Sequence, residues 1–368
     1  MRPKNYVNHH VQPEQSGRTL AAALREFLPD RSWNQVKKLI TQRQIQVNGN
    51  LCLEEGRKVK AGDVLQVWEH PLAPPVDEKS LRIRYADQHL VIVEKPAGIT
   101  TLRHAEERHW SADRKRRQPT LDELVPRALA KHLGWSTEEP QRAPKKKAPH
   151  RGRKEHRHLQ RSQQANLPPV RAVHRLDRDT SGLMVFARTQ QAETALIRLF
   201  SKHRIQRAYL AVAHGHMDAA TIETQLVRDR GDGLRGSAIV DDEAEVAAGN
   251  EPQQAITHVK PLEQIGNYSL VECRLETGRT HQIRIHLSER GHMLCGEKTY
   301  THALGGRPQD DRSGAPRHAL HAAELGFVHP TTGEPILFKS PLPPDLKQWL
   351  ERLRKQVSTP AESPTHEA

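Results

Sequence analysis

The chain reads HRLDRDTSGL from His174 to Leu183 and continues with an apolar run, MVFA, to Ala187. This stretch places the carboxylate of Asp177 between two arginines in a turn-like sequence. The apolar run predicts a buried strand directly after the turn. The order predicts a reactive acid on a loop that a buried strand holds in place. The alternative is a charged surface turn before a strand, and these residues alone do not separate the two.

A second dense segment reads LETGRTHQIRIH from Leu275 to His286. Polar Gln282, Arg284 and His286 alternate with apolar residues, which predicts a strand with one polar face. Between the two segments, residues 207–212 alternate as a strand that carries Tyr209. A tyrosine in a strand is by itself more often a core residue than a ligand.

The charge of the chain favours a polyanionic partner. Its 368 residues are enough for two or three domains, and its formal net charge is +13. Such an excess favours nucleic acid, and less often an anionic membrane surface. Residues 140–166 hold nine Lys or Arg and one Glu, including Lys145, Lys146 and Lys147, with almost no apolar residues. We predict a disordered basic insertion that contacts phosphates, with a solubilising spacer as the alternative.

Several classes of site find no support in the sequence. The three cysteines are far apart and odd in number, which argues against a disulfide framework and fits a reducing compartment. No stretch is long and apolar enough to span a bilayer, and the first residues are polar. No metal-ligand motif or phosphate-binding glycine motif occurs, so we predict no metal and no cofactor. We expect a monomeric, cytoplasmic protein without membrane association.

Residues 17–70 predict a small α/β module. Apolar spacing predicts a helix from Thr19 to Leu28, Ser32 is suited to cap a second helix, and strands follow within 45–49 and 62–67. Lys37, Lys38 and Arg43 would line a basic side that binds RNA; an ordinary solvated face is the alternative.

This module resembles the S-four RNA-binding domain, named for a ribosomal protein. The resemblance rests on KKLI at 37–40, VNG at 47–49 and VKAGDV at 59–64. Two positions depart from the family pattern: Trp33 stands where Arg is frequent, and Arg43 stands where Gly is usual.

Residues 81–350, without the insertion, resemble the RluA family of pseudouridine synthases. The resemblance rests on the motif at 174–183 with its apolar strand, the segment at 275–286 and the tyrosine strand between them, in that order. It implies the isomerisation of selected uridines in RNA to pseudouridine, without cofactor or metal. Family members with this N-terminal module commonly act on large-subunit ribosomal RNA, which is therefore the favoured substrate.

The resemblance also implies roles for single residues. Asp177 matches the catalytic aspartate, and Arg284 matches the arginine that pairs with it. Tyr209 matches the residue that stacks on the target uracil. Arg175 matches the arginine thought to fill the space that a flipped uridine leaves, and we place His174 beside it in substrate binding.

Three further positions near these segments are less specific. Arg279 and His281 either contact RNA or support the fold. Glu297 follows Gly296 where the family usually has Asp, and a structural hydrogen bond is the role we expect for it.

The expected architecture is α+β: a catalytic domain with a mixed, mostly antiparallel sheet and flanking helices, beside the small N-terminal module. We predict a flexible arm over 1–16, a linker over 71–80, the catalytic domain over 81–355 and a disordered tail over 356–368. Within the domain, a helix is predicted at 120–133, which Pro126 would kink or split.

Two other functions remain open at this level. One is a pseudouridine synthase that acts on tRNA. The other is a catalytically silent RNA-binding or ribosome-assembly factor, against which the presence of Asp177, Tyr209 and Arg284 argues.

Overall fold

The computed structural model describes residues 6–48, 50–72, 76–135, 167–230, 234–238 and 250–358. The chain divides into two compact units, Met1–Pro75 and Val76–Ala368. Each unit has a hydrophobic core of its own. The division falls inside the proline-rich segment 71–80, whose last residues, Glu78–Ser80, form a 3₁₀ turn capped by Asp77. The predicted insertion, with Lys145, Lys146 and Lys147, lies outside the described residues.

The first unit packs two helices on a small sheet. Its strands, in the spatial order β1-β4-β2-β3, and its helices have these bounds: β1 Tyr6–His10, α1 Leu20–Phe27, α2 Trp33–Thr41, β2 Ile45–Val47, β3 Asn50–Leu51 and β4 Val64–Trp68. Thr19 caps α1, and Ser32 caps α2 in a reciprocal arrangement with Gln35. The predicted α/β module is therefore confirmed.

Strand β1 contradicts the prediction of a flexible arm over 1–16. It pairs antiparallel with β4 along its whole length, and the Tyr6 ring lies 4.6 Å from the Trp68 ring. Val11 and Gln15, which follow β1, are buried. The prediction of a flexible arm is therefore wrong for the described residues. Backbone hydrogen bonds to a neighbouring strand stabilise this polar segment, and the composition of the segment does not show which strand lies beside it.

The second unit is built on one large sheet. Among the described residues it has eleven strands, and their main order is β11-β10-β12-β13-β9-β14-β8-β6-β5. Only the β14–β8 pair is parallel among these, so the prediction of a mixed, mostly antiparallel sheet is confirmed. The bounds are β5 Arg82–Ala86, β6 Leu90–Lys95, β7 Arg171–Ala172, β8 Ser181–Ala187, β9 Gln206–His214, β10 Ala220–Val227, β11 Gly236–Ser237, β12 Gln253–Ile265, β13 Tyr268–Leu275, β14 Leu320–Val328 and β15 Pro335–Lys339.

Helices cover both faces of this sheet. Their bounds are α3 Ala112–Arg117, α4 Leu121–His132, α5 Gln190–Ser201, α6 Gln282–Glu289 and α7 Pro344–Ser358. Helix α4 continues through Pro126 without interruption, and α7 extends past the predicted end of the domain at 355. In the part of the chain that the structure describes, no helix is long and apolar enough to cross a membrane.

Strand β8 lies in the middle of this core, and both of its faces are covered. Met184 and Phe186 pack in one hydrophobic cluster with residues of α4, whereas Leu183 and Val185 pack in another with residues of α5. All seven residues of β8 are buried. A strand covered on both faces needs a continuous apolar run, and such a run is the pattern that predicted it.

Candidate active site

Asp177 lies on a tight turn between β7 and β8. The Thr180 amide donates to the carbonyl of Asp177 at 3.2 Å, which makes Asp177 the first residue of a four-residue turn. The Thr180 hydroxyl is bonded to the His318 ring at 2.9 Å. The turn is therefore fixed at its last residue, directly before the buried strand.

The last residue of β6 and the segment that follows it hold this turn in place. The Lys95 ammonium is 1 % exposed and donates to the carbonyls of Pro96, Arg178 and Thr180 at 3.1, 2.9 and 2.7 Å. The Thr101 hydroxyl donates to the Leu176 carbonyl at 2.8 Å. Backbone groups on both sides of Asp177 are thus anchored to the end of β6 and the segment that follows it, which restricts where the carboxylate can lie.

Residues 282–289 form helix α6, not the predicted strand. The residues from Gln282 to Ser288 are all buried. The polar members satisfy their hydrogen bonds internally: Gln282 bonds Thr277 and Thr257, and His286 bonds Thr224 and Thr257. A helix buried on all sides has no exposed polar stripe, so its sequence lacks the period of an amphipathic helix. The alternation of polar and apolar residues therefore predicted a strand instead.

Helix α6 presents Arg284 to Asp177. The Nη1 atom of Arg284 lies 3.2 Å from Oδ2 of Asp177. Its Nε and Nη2 atoms form a bidentate pair with Glu297 at 2.8 and 2.7 Å. Glu297 accepts further bonds from the amides of Lys298 and Thr299. Because the two-point bond to Glu297 fixes the plane of the guanidinium, an N–H of Nη1 is directed at Asp177.

The charge of Arg284 keeps Asp177 ionised. Burial alone would raise the pKa of Asp177, but the positive charges around it, His281 and Arg284, bring its pKa below the ordinary value. Burial in turn lowers the pKa of His281, and the charge of Asp177 opposes that effect. Arg284 is therefore the permanent cation, and its own pKa is raised by Glu297 against the effect of burial.

His281 lies beside the carboxylate in an unusual backbone conformation. Its φ of 60° is in the left-handed region, where a residue other than glycine is uncommon. The ring bonds the Tyr300 hydroxyl at 2.7 Å through Nδ1, and Nε2 lies 3.7 Å from Oδ1 of Asp177. The structure thus brings His281 to the carboxylate.

These residues open into a cavity of about 490 Å³. The volume lies in the range of small-molecule sites. Asp177, Arg284 and His281 form part of its wall, and Tyr209 on β9 forms another part. Tyr209 is 8 % exposed, and burial raises the pKa of its hydroxyl, so the ring is neutral. A carboxylate, a guanidinium and an aromatic ring therefore share one cavity.

Two other predicted substrate residues, Arg175 and His174, also line this cavity, but their side chains differ in how they are bonded. Arg175 is exposed, and no ion pair or hydrogen bond of its side chain occurs within the described part of the chain. His174 accepts a hydrogen bond from the Val185 amide at 3.1 Å and stacks on Phe200, and burial lowers its pKa to about 3. The His174 side chain is thus held by contacts within the fold, whereas the Arg175 side chain is available to contact a substrate.

The basic residues predicted in the first unit lie on its surface. Lys37 and Lys38 are exposed on α2, and Lys37 lies 3.4 Å from Glu55. Arg43 has a φ of 68°, which explains why the related domains usually carry glycine at that position.

Sequence reasoning missed Lys95 and His318. Lys95 precedes Pro96 after an apolar strand, and that context carries no sign that its ammonium would be buried. His318 lies far along the chain from Thr180, and only the fold brings the two together. Within the described residues, no group of three His, Cys, Asp or Glu is arranged to hold a metal ion.

Comparisons with known proteins show the family to which this chain belongs. The family model described as RNA pseudouridylate synthase matches residues 89–289, and the S4 domain model, which describes the S-four fold, matches residues 19–65. A protein of Neisseria meningitidis named ribosomal large subunit pseudouridine synthase D is 31% identical over 363 residues, which cover 96% of this chain and 83% of that protein.

A relative from a different bacterium covers nearly all of its own length. An uncharacterized RNA pseudouridine synthase of Bacillus subtilis is 31% identical over 359 residues, which are 95% of this chain and 99% of that protein. Among solved structures, human RNA pseudouridylate synthase domain containing 4 has a TM-score of 0.51 at 19% identity, covering 74% of this chain and 92% of that chain. At that identity the likeness concerns the fold alone.

Proposed function

Because the chain belongs to the RluA family of RNA pseudouridine synthases and carries an S4 domain, we propose that Asp177 is its catalytic residue and that large-subunit ribosomal RNA is its substrate. The observation that carries the assignment is the 3.2 Å contact between Arg284 and Asp177 inside a cavity that Tyr209 also lines.

The reaction breaks the C–N glycosidic bond of a uridine and makes a C–C bond at the same sugar carbon. A carboxylate can open this route by attacking the sugar, by attacking the base or by promoting a glycal. Each of these steps needs an ionised acid in a site that excludes bulk water. The lowered pKa of Asp177 and its 17% side-chain exposure meet both needs.

The detached uracil must turn before the new bond forms. A tyrosine ring holds a base through stacking, which tolerates rotation in the plane of the base. Tyr209 is suited to this task because it is neutral and buried in the wall of the cavity. The uridine must first leave its helical stack, at a cost of a few kcal/mol, and the exposed Arg175 is free to occupy the space it leaves.

The proposed substrate follows from the relatives. Relatives from Neisseria meningitidis and Xanthomonas campestris carry the name ribosomal large subunit pseudouridine synthase D. We transfer that substrate class to this chain as a proposal. Transcriptome-wide pseudouridine mapping in cells with and without the gene tests it: we expect the loss of one or a few pseudouridines in large-subunit rRNA, whereas a loss confined to tRNA would contradict it.

The proposed catalytic role has a direct test in Asp177→Asn. The amide keeps the shape of the side chain but cannot act as an ionised acid, so we expect no pseudouridine and an RNA affinity within about twofold of the wild type, the rest of the interface being untouched. Tritium release from labelled RNA measures turnover, and a filter-binding titration measures affinity. Measurable turnover by the Asn variant contradicts the assigned role.

A further inference from the structure

We propose that a second, smaller cavity, walled by Arg228, Arg235 and Arg279, is a binding subsite for a backbone phosphate next to the target uridine. The cavity has a volume of about 140 Å³. The inference deepens the proposed function and rests on it for the identity of the RNA.

Two of these arginines flank the same end of the β10–β11 strand pair. Strands β10 and β11 pair antiparallel, and the last register pair is Val227 with Gly236. Arg228 directly follows β10, and Arg235 directly precedes β11, so both arginines stand at the same end of this strand pair. Both line one small cavity, where like charges repel each other. A strand pair that keeps two arginines there is suited to an anion that neutralises both.

Among the described residues, no carboxylate pairs with either of these two arginines. In the stretches that the structure describes, the side chains of Arg228 and Arg235 have no hydrogen bond and no ion pair. Arg279 is fixed by bonds to the Gln254 carbonyl and the Gln253 side chain, at 3.0 and 3.1 Å. Of the described residues that line the cavity, Glu251 is the one carboxylate. Three guanidiniums against one carboxylate leave a net positive site.

The position of the small cavity relates it to the RNA backbone. Arg279 lines both this cavity and the larger one that holds Asp177. Arg235 also lies close enough to lower the pKa of His281 through its charge. A uridine inserted in the larger cavity would keep its phosphates on the solvent side, and the arginine-lined space that shares Arg279 with this cavity is suited to receive one of them. Guanidiniums bind phosphate oxygens in bidentate fashion, which favours arginine over lysine here.

The test compares the double variant Arg228→Gln/Arg235→Gln with the wild type and with Arg352→Gln. Arg352 is an exposed arginine on α7 that lines neither cavity. Binding of a large-subunit rRNA transcript is measured across a salt series. We expect the slope of log Kd against log salt to fall in magnitude by about 1 in the double variant, and to stay unchanged in Arg352→Gln. A wild-type slope in the double variant overturns the proposal.

A second measurement locates the phosphate. Short RNAs centred on the mapped uridine carry a neutral methylphosphonate on its 5′ or its 3′ side. We expect one of the two to weaken binding by the wild type several-fold, and the same substitution to have no further effect on the double variant. An undiminished effect in the double variant overturns the proposal.

Structural damage and failure of the proposed function are separate outcomes of this design. Removing two like charges from one cavity should leave thermal stability unchanged or higher, so a folding defect in the double variant counts against the proposal. If the wild type makes no pseudouridine in the transcript, the proposed function fails, and the salt slopes still decide whether the arginines bind RNA phosphates.

Discussion

Single residues around Arg284 set the chemistry of the cavity. The guanidinium lies between two carboxylates, and the one at Glu297 is the more deeply buried, with a side chain 1% exposed against 17% at Asp177. Glu297 accepts the bidentate bond from Arg284, which leaves Asp177 with a single hydrogen bond from this guanidinium. The bidentate bond to Glu297 therefore fixes the plane of the guanidinium, and Asp177 lines the cavity with its Oδ2 atom bonded to Arg284.

The Glu297–Arg284 pair should make stability depend on acid pH. Burial alone would raise the pKa of Glu297, but the hydrogen bonds and charge of Arg284 lower it from 4.5 to about 2. Between those values the unfolded chain binds a proton that the folded chain does not. The stability from this group is therefore complete above pH 4.5 and is lost as pH falls towards 2.

Glu297→Gln tests this dependence. The variant lacks the titrating group, so the difference in free energy of unfolding between wild type and variant should narrow by about 2 kcal/mol between pH 6 and pH 3. Urea titrations at both pH values measure it, with Glu297→Asp as a control that keeps a carboxylate. A difference that stays constant with pH contradicts the prediction.

Tyr209 offers a second test at this scale, because its ring and its hydroxyl can be separated. If the ring stacks on uracil, Tyr209→Phe should keep kcat within about tenfold, whereas Tyr209→Leu should lose the 1–3 kcal/mol that base stacking contributes, roughly a further 5–150-fold. Single-turnover pseudouridine formation measures both. Equal rates for Phe and Leu would exclude a stacking role.

At the scale of elements, the parallel contact between β8 and β14 brings the Asp177 turn to the site. His321 pairs with Ser181 and Ala322 pairs with Gly182 in this register. Gly182 has a φ of 124°, and a Cβ atom there would overlap the backbone of Ala322. Glycine is needed because the two backbones approach too closely for any side chain.

Gly182→Ala should therefore destabilise the protein by about 4 kcal/mol, from left-handed strain together with overpacking. The matched control is Gly333→Ala, because Gly333 has a φ of 76° and nothing within 4 Å of an added Cβ. It should cost about 1 to 2 kcal/mol. Thermal or urea unfolding compares them, and equal losses would show that the contact with β14 is unimportant.

At the scale of the whole molecule, we propose that RNA binding is shared among separate basic parts. The first unit carries Lys37 and Lys38 on its surface, and the second carries the arginines of the two cavities. Residues 140–166, which lie outside the described residues, hold nine further Lys or Arg. We propose that this segment adds phosphate contacts that are independent of the site.

Replacing residues 140–166 with a Gly/Ser linker of equal length tests that proposal. The swap keeps the chain length and removes the charge, so the magnitude of the salt slope of RNA binding should fall by at least about 2, while kcat at saturating RNA stays unchanged. The control is Arg352→Gln, which removes a positive charge elsewhere on the chain and leaves residues 140–166 intact. An unchanged slope would favour the alternative of a solubilising spacer.

Local patterns in the sequence determined much of this protein. The apolar run at 183–187 predicted a strand because both faces of β8 are buried, and the capping residues Thr19 and Ser32 marked the starts of helices. The motif at 174–183 selected Asp177 because a charged turn before such a strand matches one family's pattern. These features are local, since each depends on neighbours within a few residues.

Only the tertiary structure decided how distant groups meet. The alternation at 282–287 predicted a strand, yet the segment is a helix because its polar side chains find partners on β10 and β12. The polar segment at 6–10 became a strand because β4 lies beside it. Buried hydrogen bonds and backbone pairing depend on residues far along the chain, and no local pattern records which partner the fold will supply.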